Sequence, residues 1–187
     1  MALTRLGLNQ SINLASNVTG ALPVANGGTA LTSGFVNGGG VTEADQWRLT
    51  AGITSNADIT SNLERVDNSG FSKIGTGWSQ SSGIFSAPST GIYKIKLTIQ
   101  GYGTSGDNIN GYIKITTNNS SYSPVARCNF SGVGSYNVSS TEFYFDVTDT
   151  STHKCKFELT SIGGSAEVVG NTDETWTYFT FIRLGAT

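Results

Sequence analysis

The sequence predicts an all-β sandwich of antiparallel strands, and three observations carry this prediction. The 187 residues include 24 glycines but only one methionine and one histidine, and Ser, Thr and Asn are abundant, as is typical of strands joined by polar turns. Apolar and polar residues alternate with a period of two in several segments after residue 41, as half-buried strands do. No segment has a clear helical period, apart from a possible helical turn in residues 42–48.

The composition changes near residue 41 and divides the chain into an arm and a head. Residues 1–40 contain one charge, Arg5, one aromatic residue, Phe35, and several glycine pairs or runs. Such a segment has too little apolar surface to bury a core of its own. We therefore expect an extended, Gly-rich anchoring arm in residues 1–40 and a folded head domain in residues 41–187. The expected anchors are the apolar residues Leu14, Val18, Leu22, Val24 and Phe35.

Four segments of the head alternate clearly between apolar and polar residues. Their apolar positions are Ile95, Leu97 and Ile99; Ile113 and Ile115; Phe143, Phe145 and Val147; and Cys155, Phe157 and Leu159. Weaker strand patterns bring the expected total to about ten strands. These weaker strands are expected near residues 46–51, 62–67, 71–77, 83–87, 124–131, 165–170 and 175–184.

The last of these strands, residues 175–184, is aromatic on both faces. Alternation puts Trp176 and Tyr178 on one face and Phe179 and Phe181 on the other. A strand with one solvated face would not carry aromatic residues on both, so both faces must be covered. A loop or a second copy of the chain can cover the second face. We expect Trp176, Tyr178, Phe179 and Phe181 to contribute to an oligomer interface.

Two motifs in the head resemble a known family. Residues 83–88, Gly-Ile-Phe-Ser-Ala-Pro, are followed by Thr-Gly-Ile-Tyr at 90–93, and the chain closes with Phe-Ile-Arg-Leu at 181–184. Together they resemble the jelly-roll head of the complement and tumour-necrosis-factor superfamily, although Thr180 stands where many members have glycine. The resemblance covers about residues 44–185. It implies an antiparallel jelly roll of about ten strands that forms a compact homotrimer through aromatic residues.

The arm carries a second resemblance. Residues 13–29, Asn-Leu-Ala-Ser-Asn-Val-Thr-Gly-Ala-Leu-Pro-Val-Ala-Asn-Gly-Gly-Thr, are similar to a segment common in fibre proteins of tailed bacteriophages. The stretch between Trp47 and Arg65 also looks like small jelly-roll proteins of marine phages. These resemblances imply a virion protein whose arm docks on other capsid or tail proteins.

The sequence offers little for catalysis, cofactors or charged ligands. The net charge is −2, with no basic cluster for nucleic acid, and no apolar run is long enough to cross a bilayer. His153 is the single histidine, and no nucleophile motif accompanies it. Asp173 and Glu174 are adjacent, so on a strand they would point to opposite faces rather than form a catalytic pair. We expect no catalytic residues and no cofactor.

Metal ligands and thiols lead to similar expectations. No cysteine or histidine cluster suits zinc, and Asp107, Asp146 and Asp149 are either calcium ligands or turn residues, with turns favoured. Cys128 and Cys155 lie in phase with apolar neighbours, which predicts buried thiols that behave as small hydrophobic residues. We expect no metal site and no disulfide.

These observations favour a non-enzymatic structural protein of a tailed-phage virion, a trimeric tail fibre, head fibre or capsid decoration. One alternative is an adhesion module for host glycans or receptors, with Tyr102, Tyr122 and Tyr136 stacking on sugars. A polysaccharide-degrading enzyme is disfavoured because paired catalytic carboxylates are lacking.

Overall fold

The computed structural model describes residues 40–103, 107–131 and 134–187, and Val41–Thr187 form one structural unit. The secondary structure of the described residues consists of strands, without an α-helix, and these residues include no helix able to cross a membrane. The five expected anchors in the arm lie outside the described residues. The twelve strands are β1 (Ala44–Leu49), β2 (Ala57–Asp58), β3 (Leu63–Arg65), β4 (Ser79–Ser81), β5 (Ile84–Ser86), β6 (Gly91–Tyr102), β7 (Asn108–Thr116), β8 (Ser123–Ser131), β9 (Asn137–Val147), β10 (Lys154–Thr160), β11 (Glu167–Val168) and β12 (Tyr178–Gly185).

The strands form two antiparallel sheets of six strands each. In sheet A the order is β3-β1-β12-β6-β9, and β11 pairs with the far end of β6. In sheet B the order is β4-β5-β10-β7-β8, and β2 pairs with the end of β10. The sheets pack face to face, so each has an inner face on the core and an outer face away from it.

The core is dominated by aromatic rings that both sheets contribute. Phe157 of sheet B lies 4.3 Å from Phe179 of sheet A between ring centroids, and Trp78 stacks on Phe181 at 4.4 Å. Phe85 contacts these rings from β5. The alternation in the four clear segments predicted their inward residues, and Cys128 and Cys155 are buried thiols as expected.

Several element predictions were wrong in detail. Residues 42–48 are not a helical turn, because Ala44–Leu49 pair with β12 as strand β1. Residues 71–77 form no strand and contribute a single bridge, Ala44 to Ile74. Gly75 and Gly77 have φ of 73° and 76°, which ends extended pairing there. The last strand begins at Tyr178, so Trp176 precedes it.

Of the short hairpin β4–β5, the pattern near residues 83–87 predicted β5, whereas β4 was not predicted. The two-residue turn of the hairpin consists of Ser82 and Gly83, with φ of 49° and 79°. Positive φ at both central residues characterises a type I′ turn, and the twist of this turn matches the twist of paired strands. The hairpin brings Phe85 into the core between Trp47 and Phe157.

Candidate functional site on the outer face of sheet A

The outer face of sheet A carries apolar side chains where solvent-facing residues would be expected. The strand register lays Ile182, Lys94 and Tyr144 side by side across β12, β6 and β9. Val138 lies opposite Gln100 further along the same pair of strands. Val138 is 62% exposed and Tyr144 is 56% exposed. We call this surface the apolar patch, made of Ile92, Val138, Tyr144, Tyr178 and Ile182.

The patch residues lie on one face of sheet A in two groups, Ile92, Tyr144 and Ile182 at one end and Val138 and Tyr178 at the other, with polar positions such as Lys96 and Ser140 between them. Strand β9 pairs with β6 without interruption from Asn137, opposite Gly101, to Val147, opposite Gly91. Along β9, Phe143 and Phe145 point toward the core, so Tyr144 between them must point outward. Eleven consecutive pairs make a long, regular surface on which outward side chains stand in rows.

One of the two lysines among the patch residues is paired, whereas Lys96 is half-buried on the same face without an ion pair among the described residues. Lys94 Nζ lies 2.6 Å from Glu142 Oε2 on the neighbouring strand. Its hydrogen bond to Glu142 raises the pKa of Lys94, despite the opposing effect of desolvation. Because an ion pair of this kind has little net charge, it does not prevent a second apolar surface from packing on the patch.

At its other end, the outer face of sheet A is already covered by the chain itself. Arg48 points outward from β1 but is only 1% exposed. Its Nε donates to Glu64 Oε1 at 3.0 Å, and its terminal nitrogens contact Asp67 and Asn68. Asn68 in turn donates to the carbonyl of Asp173, which ties two loops over this end. The exposed apolar side chains of this face therefore lie away from this end, on β12, β6 and β9 and at Ile74, which bridges to Ala44 of β1 and is 46% exposed.

The residues expected at an oligomer interface divide between the two faces of sheet A. Phe179 and Phe181 are fully buried within the single chain and contact Phe157 and Trp78. The expectation that these two side chains meet a second copy is therefore corrected: alternation turns them into the core. Tyr178 lies half-buried in the apolar patch, and Trp176 is half-buried before β12, where its Nε1 donates to Glu174.

Three members of the apolar patch were not singled out from the sequence, namely Ile92, Val138 and Tyr144. In the alternation of β9, Tyr144 occupies the same phase as the polar residues Glu142 and Asp146. The sequence of β9 nevertheless indicates two apolar faces, because it has aromatic residues on both, at Phe143, Tyr144 and Phe145. The same pattern was used to predict two covered faces for β12.

Two of the three tyrosines considered for sugar stacking come together. Tyr102 and Tyr136 pack edge to face with centroids 5.4 Å apart, and Tyr136 is 61% exposed. Tyr102 donates to Glu167 Oε2 at 3.0 Å, and this hydrogen bond is the main cause of its raised pKa. Tyr122 lies elsewhere, beneath Lys156, whose Nζ is 4.7 Å from the ring centroid.

Of the remaining candidates for chemistry, His153 and Asp149 lie in one turn, where the backbone nitrogen of His153 donates to the carbonyl of Asp149 at 2.9 Å. His153 stacks on Phe145, and its two ring nitrogens contact the hydroxyls of Thr148 and Thr152. Asp149 Oδ1 accepts hydrogen bonds from both the backbone and the hydroxyl of Ser151, as in an Asx turn. The described residues contain no group of three or more histidine, cysteine, aspartate or glutamate side chains able to hold a metal ion.

Comparison with known proteins identifies the fold. No protein-family model matches the chain, and no curated protein matches its sequence significantly. The structure of murine APRIL at pH 5.0 superposes with a TM-score of 0.57 at 12% identity, covering 76% of this chain and 98% of that one. Eiger, a TNF protein of S. frugiperda, gives a TM-score of 0.58 at 12% identity, covering 77% and 93%. The chain thus has a TNF-like jelly-roll fold, which confirms the predicted fold class, and its described residues form twelve strands rather than about ten.

Proposed function

We propose that the protein is a non-enzymatic, homotrimeric appendage of a tailed-phage virion. In this proposal residues 1–40 dock on capsid or tail proteins, and the jelly-roll head projects outward. The apolar patch supports the trimer. The resemblance of residues 13–29 to phage fibre proteins supports the virion role. The two parts are tested by different experiments.

The apolar patch is the observation that carries the trimer. Each aromatic or large aliphatic side chain moved from water into an interface contributes about 2–3 kcal/mol. Tyr144, Val138 and Ile92 are all exposed in the single chain and belong to one surface. In the superfamily that the head resembles, compact trimers form through aromatic residues, which favours a trimer over a dimer.

Sedimentation of the full-length protein at micromolar concentration tests the trimer. We expect a single species of three times the chain mass of 19.6 kDa. A stable wild-type monomer at that concentration would contradict the proposed assembly, whatever the outcome of the virion experiment.

Deletion of residues 1–40 tests the virion role. The deleted segment lies outside the unit formed by Val41–Thr187, so the head should stay folded and trimeric. We expect wild-type protein in purified particles by mass spectrometry and cryo-electron microscopy, and loss of the truncated protein from them. Incorporation of the truncated protein at wild-type occupancy would rule out the arm as the anchor.

The exposed Tyr102–Tyr136 pair favours a second candidate function, adhesion to a host glycan. Two tyrosine rings held edge to face next to the carboxylate of Glu167 resemble the mixed apolar and polar surfaces on which sugars stack. A glycan array with wild-type protein and a Tyr136→Ala variant tests it. Binding that the substitution abolishes supports adhesion, and equal signals for the two proteins would reject this site.

A further inference from the structure

The outer face of sheet B holds an open groove where the pairing of β7 and β8 is irregular. The register shifts between Ile113 and Lys114, because Val125 is an extra residue of β8 at this point. The volume of the groove is about 310 Å³, at the small end of the range of roughly 300–1,000 Å³ for ligand pockets. It is lined by Tyr112, Pro124, Val125, Ala126 and Arg127.

Arg127 is a cation that the fold does not use. The other arginines in the described part of the chain each donate hydrogen bonds to groups of the same chain, namely Arg48, Arg65 and Arg183. Among the described residues, Arg127 has neither a hydrogen-bond partner nor an ion-pair partner, and its side chain is exposed. A guanidinium in this state can form a bidentate pair with a carboxylate from outside the chain.

The neighbouring charges cancel one another and leave Arg127 to determine the charge of the groove. Lys114 Nζ lies 3.2 Å from Glu158 Oε2, and Lys156 Nζ lies 2.6 Å from Asp58 Oδ2. Two lysines thus face two carboxylates. The groove therefore offers one uncompensated positive charge, which suits a ligand with one carboxylate better than a polyanion.

Tyr112 supplies an apolar surface directly beside this charge. In the strand register it lies opposite Arg127, and both residues line the groove. The described residues place no other aromatic ring within stacking distance of Tyr112. Pro124 and Val125 extend the apolar lining.

We propose that the groove binds the carboxylate-bearing ring of an acidic saccharide. Arg127 pairs with the carboxylate, and Tyr112 packs against the C–H face of the sugar ring. The small volume fits one ring, and the single free cation fits one carboxylate. An acidic peptide would present several carboxylates and would lack the flat apolar face that Tyr112 can cover.

This site is independent of the proposed trimer. The outer face of sheet B lies on the opposite side of the sandwich from the apolar patch, so assembly through sheet A leaves the groove accessible. The groove is also separate from the Tyr102–Tyr136 pair, whose tyrosines belong to β6 and to the residue before β9.

Titration of the full-length protein with D-glucuronic acid, followed by NMR, tests the proposal. We expect weak saturable binding that shifts the signals of Tyr112 and the Ala126 methyl group, and at least tenfold weaker binding of D-glucose. Arg127→Gln should weaken glucuronate binding about tenfold, because a charge-assisted pair is lost. Lys154→Gln makes the same change of charge on the same face outside the groove, and it should leave binding unchanged.

Tyr112→Leu separates stacking from charge. It keeps an apolar side chain but removes the aromatic ring, so it should weaken binding of glucuronate while the preference for the acid over glucose remains. Equal binding of glucuronate and glucose, or binding that Arg127→Gln does not change, would overturn the proposal. Tighter binding of a triglutamate peptide than of glucuronate at the same signals would also overturn it, in favour of a peptide site.

Discussion

The two outer faces of the sandwich differ in the side chains that they expose, although the two sheets pack on the same core. The outer face of sheet B is ion-paired, with Lys114 and Lys156 interleaved with Asp58 and Glu158. The outer face of sheet A presents the apolar patch on β12, β6 and β9 and carries one ion pair there, Lys94 with Glu142. Apart from the groove at Tyr112 and Arg127, the charges of the first surface are mostly paired within the chain, whereas the second surface exposes apolar area that water solvates poorly.

The difference teaches that alternation alone does not tell which face of a sheet meets solvent. Lysines alternate with core residues along β10, so its outward positions are polar. Along β9, Tyr144 lies between the inward residues Phe143 and Phe145, and Val138 is exposed near the start of the strand, so two of its outward positions are apolar. The period is the same in both strands, and the chemistry of the outward residues makes sheet A the candidate for contact with another copy.

The largest expected effect comes from the core that the two faces share. Phe181→Ala removes a fully buried ring that contacts Trp78 and Phe85, and it should lower the free energy of unfolding by about 3–5 kcal/mol. Thr180→Ala, one residue away on the outer side, is the matched control and should change it by less than about 1 kcal/mol. Urea unfolding of both variants gives the comparison, and similar losses would contradict the assignment of the two faces of β12.

The next prediction separates the two outer faces. Val138→Asp puts a charge into the apolar patch, where every copy of a trimer would bury it, and should weaken association at least about 100-fold. Ile84→Asp makes a similar change at an exposed apolar residue of β5 in sheet B and should leave the trimer intact. Sedimentation of both variants gives the comparison. Equal dissociation of the two, or of neither, would show that sheet A is not the interface.

A further prediction is that the buried thiols lower the stability of the fold at alkaline pH. Burial raises the pKa of the Cys128 thiol from near 9 to about 11, and burial also raises the pKa of Cys155. Above pH 9 the unfolded chain releases protons that the folded chain retains, so the free energy of unfolding should fall as the pH rises from about 9 to about 11. Cys128→Ala should make this fall shallower. An identical slope in the variant would contradict the burial of Cys128 as its cause.

The fold was largely predictable because its longest strands are also its most regular. Alternation identified β6, β7, β9 and β10, and the motif around Phe85 pointed to the jelly roll that the structure has. Short strands such as β2 and β4 have too few residues for a period to be visible. The segment of residues 71–77 was predicted to be a strand, but two glycines with positive φ and the carboxylate of Glu43, which accepts from Gly77 N, hold it as a loop.

The candidate site was predicted less well than the fold. Aromatic residues on both faces of β12 correctly indicated two apolar environments, but the residues alone did not tell which of them lay inside. Which face of β12 lies inside depends on contacts with distant residues such as Trp78, which stacks on Phe181 although the two lie far apart in sequence. The groove at Tyr112 depends on a register shift between β7 and β8, which no local pattern reveals.

The smallest expected effect concerns the ion pairs of sheet B. Asp58 is the anion nearest to Lys156 and also lies 3.9 Å from Lys114, and about a third of its side chain is exposed. Asp58→Asn should therefore lower the free energy of unfolding by only about 0.5–1 kcal/mol. The difference should shrink at 1 M salt, where the Debye length is about 3 Å. Because these charges lie on the face opposite the apolar patch, the variant should sediment as the wild type does. Loss of the trimer in Asp58→Asn would mean that both outer faces contribute to assembly, and the division between them would fail.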